Sequence, residues 1–526
     1  MALIVYKTMA PLVVNGIAMD PISILLSIAV CVFLLNLFYG GKGDSKMFPP
    51  GPKPLPLIGN LLIMNMKKPH LTFMELAEKY GSVFSVQLGT EKVVVLCGTD
   101  AVKEALINHA DEFSERPKIP IFEDVSKGYG LIFSHGENWK VMRRFTLTTL
   151  RDFGMGKKTI EERICEESDC LVEAFKSYKG KPFENTLIMN AAVANIIVSI
   201  LLGHRFDYQD TALLKLIKII NENVRLMGSP MVMLYNTYPS VMQWLPGKHK
   251  TVAENTLKLF KFLEETFTKH RDQLDVNDQR DLVDTFLVKQ QEEKPSSSKF
   301  FHDQNLTLLV SNLFGAGMET TSTTLRWGLL LMMKYPDIQK KVQDEIDKVI
   351  GSAEPQTEHR KLMPYTDAVI HEIQRFANIA PSNLPHATTT DVTFRGYFIP
   401  KKKKKNSCIF INEWNQYHLY ADDTQIYLSS PDLNPELLAS LPACPLSPLG
   451  CPNVTLKFVS GKRSCAGETL AKMELFLFFT KLLQNFTFQS PPGQDLHLTP
   501  LVGFTSAPMV HKICALSRTL DVKHNS

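Results

Sequence analysis

A single cysteine in a glycine-flanked loop constrains this chain more than any other feature. Phe458, Gly461, Arg463, Cys465 and Gly467 form the pattern F-x-x-G-x-R-x-C-x-G. No second cysteine stands at the spacing of a zinc site, so a structural zinc is excluded. The glycines allow a tight turn and close approach to a flat cofactor, and the long helical pattern that follows predicts amides and a dipole that stabilise a thiolate. The alternative is a small buried hydrophobic cysteine.

The amino terminus predicts a membrane anchor. An uncharged apolar run covers residues 22–39, about the minimum for a membrane-spanning helix. Asp20 precedes it and Lys42 and Lys46 follow it, so the positive-inside rule places the rest of the chain in the cytosol. The alternatives are a cleaved signal peptide or a buried core helix, but the run exceeds a usual signal core and lacks a convincing cleavage site.

Behind this run the pattern predicts one large, mainly helical body with a minor sheet. Residues 71–81 and 336–351 have helical periodicity, and residues 83–98 look like a hairpin. Hydrophobic content of 44% and charged content of 21% are typical of a globular chain with a substantial core. The net charge of +4 is too small to argue for a nucleic-acid partner, and we expect none.

A second chemical feature lies in an apolar helical stretch. Ala316 and Gly317 are followed by Glu319 and Thr320. An acid and a hydroxyl inside an apolar helix cost free energy unless they bind something. The small residues leave room for O2 and water, and the two polar side chains can pass protons. The alternative is a polar kink whose groups are satisfied internally.

Two further pairs are weak signals by themselves. Glu372 and Arg375 lie three apart on one helix face, and Trp139 and Arg143 lie four apart on another. Most such pairs are surface ion pairs or ordinary, partly exposed helix residues.

Together the four segments resemble the cytochrome P-450 superfamily, and within it the microsomal family-2 enzymes of vertebrates. The resemblance covers about residues 21–400 and 455–518. It implies a mainly α fold with a small β portion behind an N-terminal transmembrane helix. It also implies Cys465 as the axial ligand of haem b, with O2 as co-substrate and electrons from NADPH through a reductase. The substrate class implied is lipophilic: a xenobiotic, fatty acid or steroid.

The resemblance also assigns roles to individual residues. Ala316, Gly317, Glu319 and Thr320 correspond to the oxygen-activation groove, with Thr320 and Glu319 catalytic. The remaining implied haem contacts are Arg116, Trp139, Arg143, His386, Phe458, Gly461, Arg463 and Gly467. Glu372 and Arg375 form a structural pair.

The implied partners are an NADPH-cytochrome reductase, cytochrome b5, a lipophilic substrate and membrane lipid. The reductase would dock on a basic face with Lys140, Arg144 and Lys462 as candidates. The implied location is the endoplasmic reticulum membrane, with a single anchor and a cytosolic catalytic domain. We expect a luminal segment over 1–20, the anchor over 21–40, a basic, proline-rich linker over 41–60, the catalytic domain over 61–518 and a tail over 519–526.

One stretch, about residues 402–456, departs from the family. It begins within the run of five lysines at Lys401–Lys405, and Tyr417–Ser430 resembles the active-site hairpin of reverse transcriptases from non-LTR retrotransposons. Asp422 and Asp423 would there bind two metals. So short a stretch cannot build a polymerase palm, which leaves a transposon-derived insert or a gene-model artefact.

This departure leaves alternatives open for the function. We expect the stretch 402–456 to lack stable packing and haem occupancy to be low. The chain is then either a working monooxygenase or a haem-deficient product of the same ancestry. A third class, a membrane-anchored interaction protein without enzymatic activity, has no positive signal in the sequence.

Overall fold

The structure is a computed structural model. It describes residues 12–14, 17–19, 21–39, 48–293, 299–401, 408–412, 417–418, 427–428 and 461–518, with side chains of the first helix described over 22–32. Phe458, Asp422 and Asp423 lie outside these residues.

The described chain is mainly helical, as the sequence predicts. Its α-helices are α1 Pro21–Tyr39, α2 Pro69–Tyr80, α3 Thr99–Lys103, α4 Pro120–Ser126, α5 Gly136–Asp152, α6 Lys158–Ser177, α7 Thr186–Leu201, α8 Thr211–Met227, α9 Pro230–Thr237, α10 Pro239–Met242, α11 Lys248–Asp272, α12 Leu282–Glu292, α13 Asp303–Lys334, α14 Pro336–Val349, α15 Pro364–Ala377 and α16 Glu468–Asn485. Short 3-10 helices cover Leu61–Ile63 and Thr357–Leu362, and a π-helix covers Glu104–Asn108.

The strands are short and form small sheets. They are β1 Leu12–Val14, β2 Ile17–Met19, β3 Val83–Leu88, β4 Glu91–Cys97, β5 Phe183–Glu184, β6 His386–Ala387, β7 Val392–Phe394, β8 Tyr397–Ile399, β9 Cys408–Asn412, β10 Tyr417–His418, β11 Tyr427–Leu428, β12 Phe486–Gln489, β13 Pro500–Val502, β14 Ser506–Pro508 and β15 Lys512–Ser517. The largest described sheet has the order β3-β4-β9-β6, and the predicted hairpin over 83–98 is its β3–β4 pair.

The core is organised around α13, whose 32 residues are buried over most of their length. Helices α7 and α16 pack on it, and the Trp327 indole N–H donates to the Ser506 carbonyl at 3.0 Å. A Cβ atom at Gly317 would lie 2.6 Å from Ile197 Cδ1, so glycine lets the Ile197 side chain of α7 pack directly on α13, and a larger residue would force that side chain to move. The structure thus gives Gly317 a packing role that the sequence did not predict.

Strand β9 corrects one expectation about the departing stretch. Cys408–Asn412 lies inside the main sheet, parallel to β4 and antiparallel to β6, and Ile409 is fully buried opposite His386. The prediction that residues from about 402 lack stable packing is therefore wrong for β9. A central strand is stabilised by backbone hydrogen bonds to a neighbouring strand on each side. A run of only five residues in the sequence does not reveal those neighbours.

Helix α1 forms where the sequence predicts a membrane anchor, and its side chains Ile22, Leu25 and Leu26 are exposed. Within the described ranges, however, no helix is both long enough and apolar enough to cross a membrane. The end of the predicted linker is packed on the body, since the Ser85 N–H and hydroxyl donate to the carbonyls of Pro50 and Pro49 at 2.7 and 2.8 Å.

Candidate active site

The cysteine loop is held by a glycine with a left-handed backbone. Gly461 has φ +91°, and a Cβ atom there would lie 2.0 Å from the carbonyl oxygen of Leu106. The loop turns when the Ser464 N–H donates to the Gly461 carbonyl, and Gly467 then caps α16. The predicted tight turn is present at Gly461, but the close approach there is to protein backbone. A Cβ atom at Gly467 would have no described atom within 4 Å, so that side of the loop is open.

The Cys465 thiol is accessible from solvent at its surface but is closely surrounded by protein atoms. This desolvation raises the pKa of Cys465, and Glu468 in the first turn of α16 adds to the rise. The Gly467 amide and Arg143 act in the opposite sense but do not outweigh it. The amide at the helix N-terminus therefore favours the thiolate, as the sequence predicts, but burial outweighs this effect. A bound metal ion would supply the missing positive charge, because metal ligation deprotonates a thiol.

Three buried nitrogen-bearing side chains converge next to this loop. Arg116, Arg463 and His386 are 2%, 6% and 1% exposed. Arg116 donates to the carbonyls of Leu384 and Pro385 at 3.0 and 2.8 Å. In addition, Arg463 donates to the Ser114 and Ser134 carbonyls at 2.7 and 2.9 Å, and His386 Nδ1 lies 2.7 Å from the Phe113 carbonyl. Backbone carbonyls from three segments thus fix the three side chains.

Burial and mutual repulsion disfavour the positively charged forms of these three side chains. Burial, followed by the charge of Arg116, lowers the pKa of Arg463 to about 8, and burial also lowers the pKa of Arg116 to about 9. The pKa of His386 is driven well below its usual value by burial and by both arginines. Arg463 Nη1 and His386 Nε2 are buried without a hydrogen-bond partner among the described residues. The Arg463 donor fits a haem carboxylate. His386 gives its Nδ1–H to the Phe113 carbonyl, so its Nε2 would donate to the second carboxylate only in the protonated imidazolium, which that negative charge would favour.

Arg143 and Trp139, on one face of α5, connect this cluster to the cysteine loop. Arg143 Nη2 donates to the Ser464 carbonyl at 2.8 Å and to its hydroxyl at 3.1 Å. The Arg463 guanidinium lies 3.9 Å from the centre of the Trp139 ring. The structure therefore connects one of the two weak pairs of the sequence, Trp139 and Arg143, to the cysteine loop and the buried arginine.

On α13, Ala316 is exposed, whereas most of the helix is buried. The Thr320 hydroxyl donates to the Ala316 carbonyl at 2.8 Å, so both residues line an open face of the helix. The Glu319 carboxylate instead accepts from the hydroxyls of Thr323 and Thr505 at 3.2 and 3.1 Å. Burial raises the pKa of Glu319, against the opposing effect of Arg326. The raised pKa favours the protonated form of Glu319. Its hydrogen-bond partners are Thr323 and Thr505, and the Thr320 hydroxyl bonds to the Ala316 carbonyl instead.

The structure forms the pair on α15. Arg375 Nε and Nη2 donate to the two carboxylate oxygens of Glu372 at 2.6 and 2.5 Å, and Glu372 is buried. This two-point geometry is stronger than the surface ion pair that spacing alone suggests.

Sequence reasoning missed two carboxyl groups near the predicted groups. Glu115 accepts from Arg463 at 3.3 Å and lies close to His135, and its only sequence signal is adjacency to Arg116. Glu474 is fully buried on α16 and hydrogen-bonds to Thr321 of α13, and nothing in the sequence marks it.

Glu474 gives a prediction for stability against pH. Burial raises the pKa of Glu474 to about 8, so the folded protein keeps this proton while the unfolded chain releases it from about pH 4.5 upwards. Stability should therefore fall between these two pH values. We expect Glu474→Gln to be more stable than the wild type by roughly 3 kcal/mol at pH 8, with little difference at pH 5. Urea unfolding followed by circular dichroism measures both, and the exposed Glu254→Gln is the control. Equal gains at both pH values would contradict the buried-acid explanation.

Comparison with known proteins gives the family. The sequence profile described as Cytochrome P450 matches residues 49–414 and 453–515. The chain belongs to the cytochrome P450 family. It is 46% identical to Cytochrome P450 2K4 of Oncorhynchus mykiss over 502 residues, covering 93% of this chain and 96% of that protein. It is also 44% identical to Cytochrome P450 2B19 of Mus musculus over 502 residues and to Cytochrome P450 2C5 of Oryctolagus cuniculus over 500, each covering 94% of this chain and 99% of the relative.

Membership of this family establishes the cofactor and the reaction of the protein. The protein is a haem-thiolate monooxygenase that takes O2 and NADPH-derived electrons through a reductase and acts on lipophilic substrates. The profile continues through β9 and resumes before Phe458. The internal stretch without a family match is therefore residues 415–452, which is narrower than the predicted 402–456.

Proposed function

We propose that Cys465 ligates the haem iron and that Arg116, Arg463 and His386 bind the haem carboxylates. The observation that carries this assignment is the pair of buried side-chain nitrogens, Arg463 Nη1 and His386 Nε2, beside the cysteine loop. Neither has a hydrogen-bond partner among the residues that the structure describes. Arg143 positions the loop through the Ser464 carbonyl, and Trp139 supports the Arg463 guanidinium. When bound, a thiolate-ligated haem supplies cleavage of the O–O bond of O2 for insertion of one oxygen atom into a C–H bond.

We assign proton handling to the open face of α13. The Thr320 hydroxyl, fixed by the Ala316 carbonyl, orients a proton donor beside the groove. Burial raises the pKa of Glu319, which favours its protonated form, and the hydroxyls of Thr323 and Thr505 keep its carboxyl group in place. Gly317 shapes the groove indirectly by letting a side chain of α7 pack on α13.

The Thr320 assignment gives a kinetic prediction. We expect Thr320→Ala to raise the peroxide released per NADPH consumed about tenfold or more, because a general acid typically contributes factors of this size. The matched control is Thr307→Ala on the same helix, whose hydroxyl likewise donates to the carbonyl four residues before it, at 3.0 Å. Unchanged coupling in Thr320→Ala would make Thr320 only a lining residue.

The test of the assignment as a whole is a difference spectrum of the reduced protein with carbon monoxide. Expressed protein should give the band of thiolate-ligated haem. Failure to bind haem would favour a second candidate, a haem-deficient product of the same family. The observation that supports this second candidate is the stretch 415–452, which does not match the family profile and lies between β9 and the cysteine loop.

We also propose a retrotransposon origin for that stretch, on the resemblance of Tyr417–Ser430 to a reverse-transcriptase hairpin. Strands β10 and β11, which pair with each other, lie on either side of Asp422 and Asp423 in the chain. The missing palm argues against polymerase activity. Sequencing cDNA across Pro400–Lys457 tests whether the transcript carries this stretch.

For location, we propose α1 as a single anchor in the endoplasmic reticulum membrane, with residues 1–20 luminal and the domain over 61–518 cytosolic. The exposed apolar side chains of α1 support this. Cytochrome b5 and the reductase would share a basic face that includes Arg144, Lys140 and Lys462. Lys140 and Lys462 each pair with a carboxylate, Glu137 and Asp111, on that exposed surface.

A further inference from the structure

A cavity of about 470 Å³ lies apart from the residues assigned to haem. Its walls come from the residues before α2, the junction of α8 and α9, the start of α11 and strand β13. Four basic side chains line it: Lys67, Lys68, Arg225 and Lys248. These residues come from three separate parts of the sequence, so the fold itself concentrates the positive charge.

The charge in this basic cavity is not neutralised by the protein. Over the ranges that the structure describes, none of the four basic side chains forms an ion pair, whereas Lys140 and Lys340 pair with acids one turn away. The positive charge of Lys68 also acts on a buried neighbour: together with burial, it lowers the pKa of His70 to about 4. Unpaired like charges around one cavity repel each other, and an anion between them removes that repulsion.

A buried hydroxyl marks the same cavity. Ser229 lines it, is 7% exposed, and its hydroxyl has no hydrogen-bond partner in the part of the chain that the structure describes. Ser229 also precedes α9, whose N-terminal end carries partial positive charge. An orphaned hydroxyl beside a helix N-terminus and four cations is suited to an oxyanion.

The remaining wall is apolar. Leu226, Leu501 and Val502 contribute to it. A small inorganic anion would leave this surface in contact with water, whereas an anion attached to a hydrocarbon chain would cover it. We propose that the cavity binds the acidic head group of an amphiphile, a carboxylate or phosphate on an apolar chain. The proposal does not depend on the haem assignment.

The test uses the full chain in phosphatidylcholine nanodiscs and titration calorimetry with octanoate, octyl phosphate and neutral octanol. We expect both acids to bind at least tenfold more tightly than octanol, and octyl phosphate more tightly than inorganic phosphate. The double variant Arg225→Gln, Lys248→Gln should lose about tenfold or more in affinity for both acids. Lys250→Gln, exposed on α11 but outside the cavity, is the matched control and should bind within about twofold of the wild type.

A second arm identifies the source of the head group. If phosphatidylserine in the nanodisc competes with octyl phosphate in the wild type but not in the double variant, the natural ligand is a lipid head group. If it does not compete, the ligand is a free acid, and both results support the site. Equal affinity for the acids and octanol, or equal affinity in wild type and double variant, overturns it. Unchanged thermal midpoints establish that the variants are folded. Because none of these measurements depends on bound haem, a negative result for the cavity does not contradict the proposed function.

Discussion

Cys465→Ala is expected to abolish the absorption of thiolate-ligated haem and reduce monooxygenase activity to background. No other side chain of the loop can supply a thiolate, and a thiolate ligand is what drives O–O cleavage at haem iron. Because Cys465 is exposed at its surface, the substitution removes little packing, and the fold should survive. The measurement is the reduced carbon monoxide difference spectrum, together with NADPH-dependent product formation.

The matched control is Cys170→Ser. Cys170 is half-buried on α6 and has no assigned role in the site, so its substitution should change stability only. Thiolate-type absorption that persisted in Cys465→Ala would exclude Cys465 as the ligand.

The second large effect concerns residues 415–452. We expect a chimera in which the corresponding segment of Cytochrome P450 2K4 replaces them to bind several-fold more haem per chain than the sequence as it stands. The resemblance implies that family members carry here a meander that packs beside the Glu372–Arg375 pair and leads into the cysteine loop. Because β9 and the loop after Gly461 are already in place, only the connection between them needs replacement. The pyridine haemochromogen assay gives the haem content.

A scrambled segment of the same length serves as the control for the chimera and should not raise haem content. The chimera carrying Cys465→Ala should likewise lack thiolate-ligated haem. Full haem incorporation by the unaltered chain would instead establish that residues 415–452 are compatible with a complete site.

Local pattern predicted much of the fold. Helices α2 and α14 and the β3–β4 hairpin follow from apolar periodicity and glycine stops, which are properties of short segments. Strand β9 was missed because five residues beside a lysine run carry no period, and their pairing with β4 and β6 is a long-range interaction. The role of Gly317 was missed for the same reason, since its neighbour Ile197 lies on another helix.

Residue type and spacing were sufficient to indicate the chemistry of this cytochrome P450. The pattern around Cys465 and the run from Ala316 to Thr320 indicate a haem thiolate and an oxygen groove, because ligand type and helix position are local properties. The electrostatics, in contrast, arise from the folded chain. Burial raises the Cys465 pKa against the helix dipole. Arg463 Nη1 and His386 Nε2 come together from distant segments as buried nitrogens without a hydrogen-bond partner in the described part of the chain. Desolvation and Coulomb interactions depend on which residues surround a group in space, and residue spacing along the chain does not contain that information.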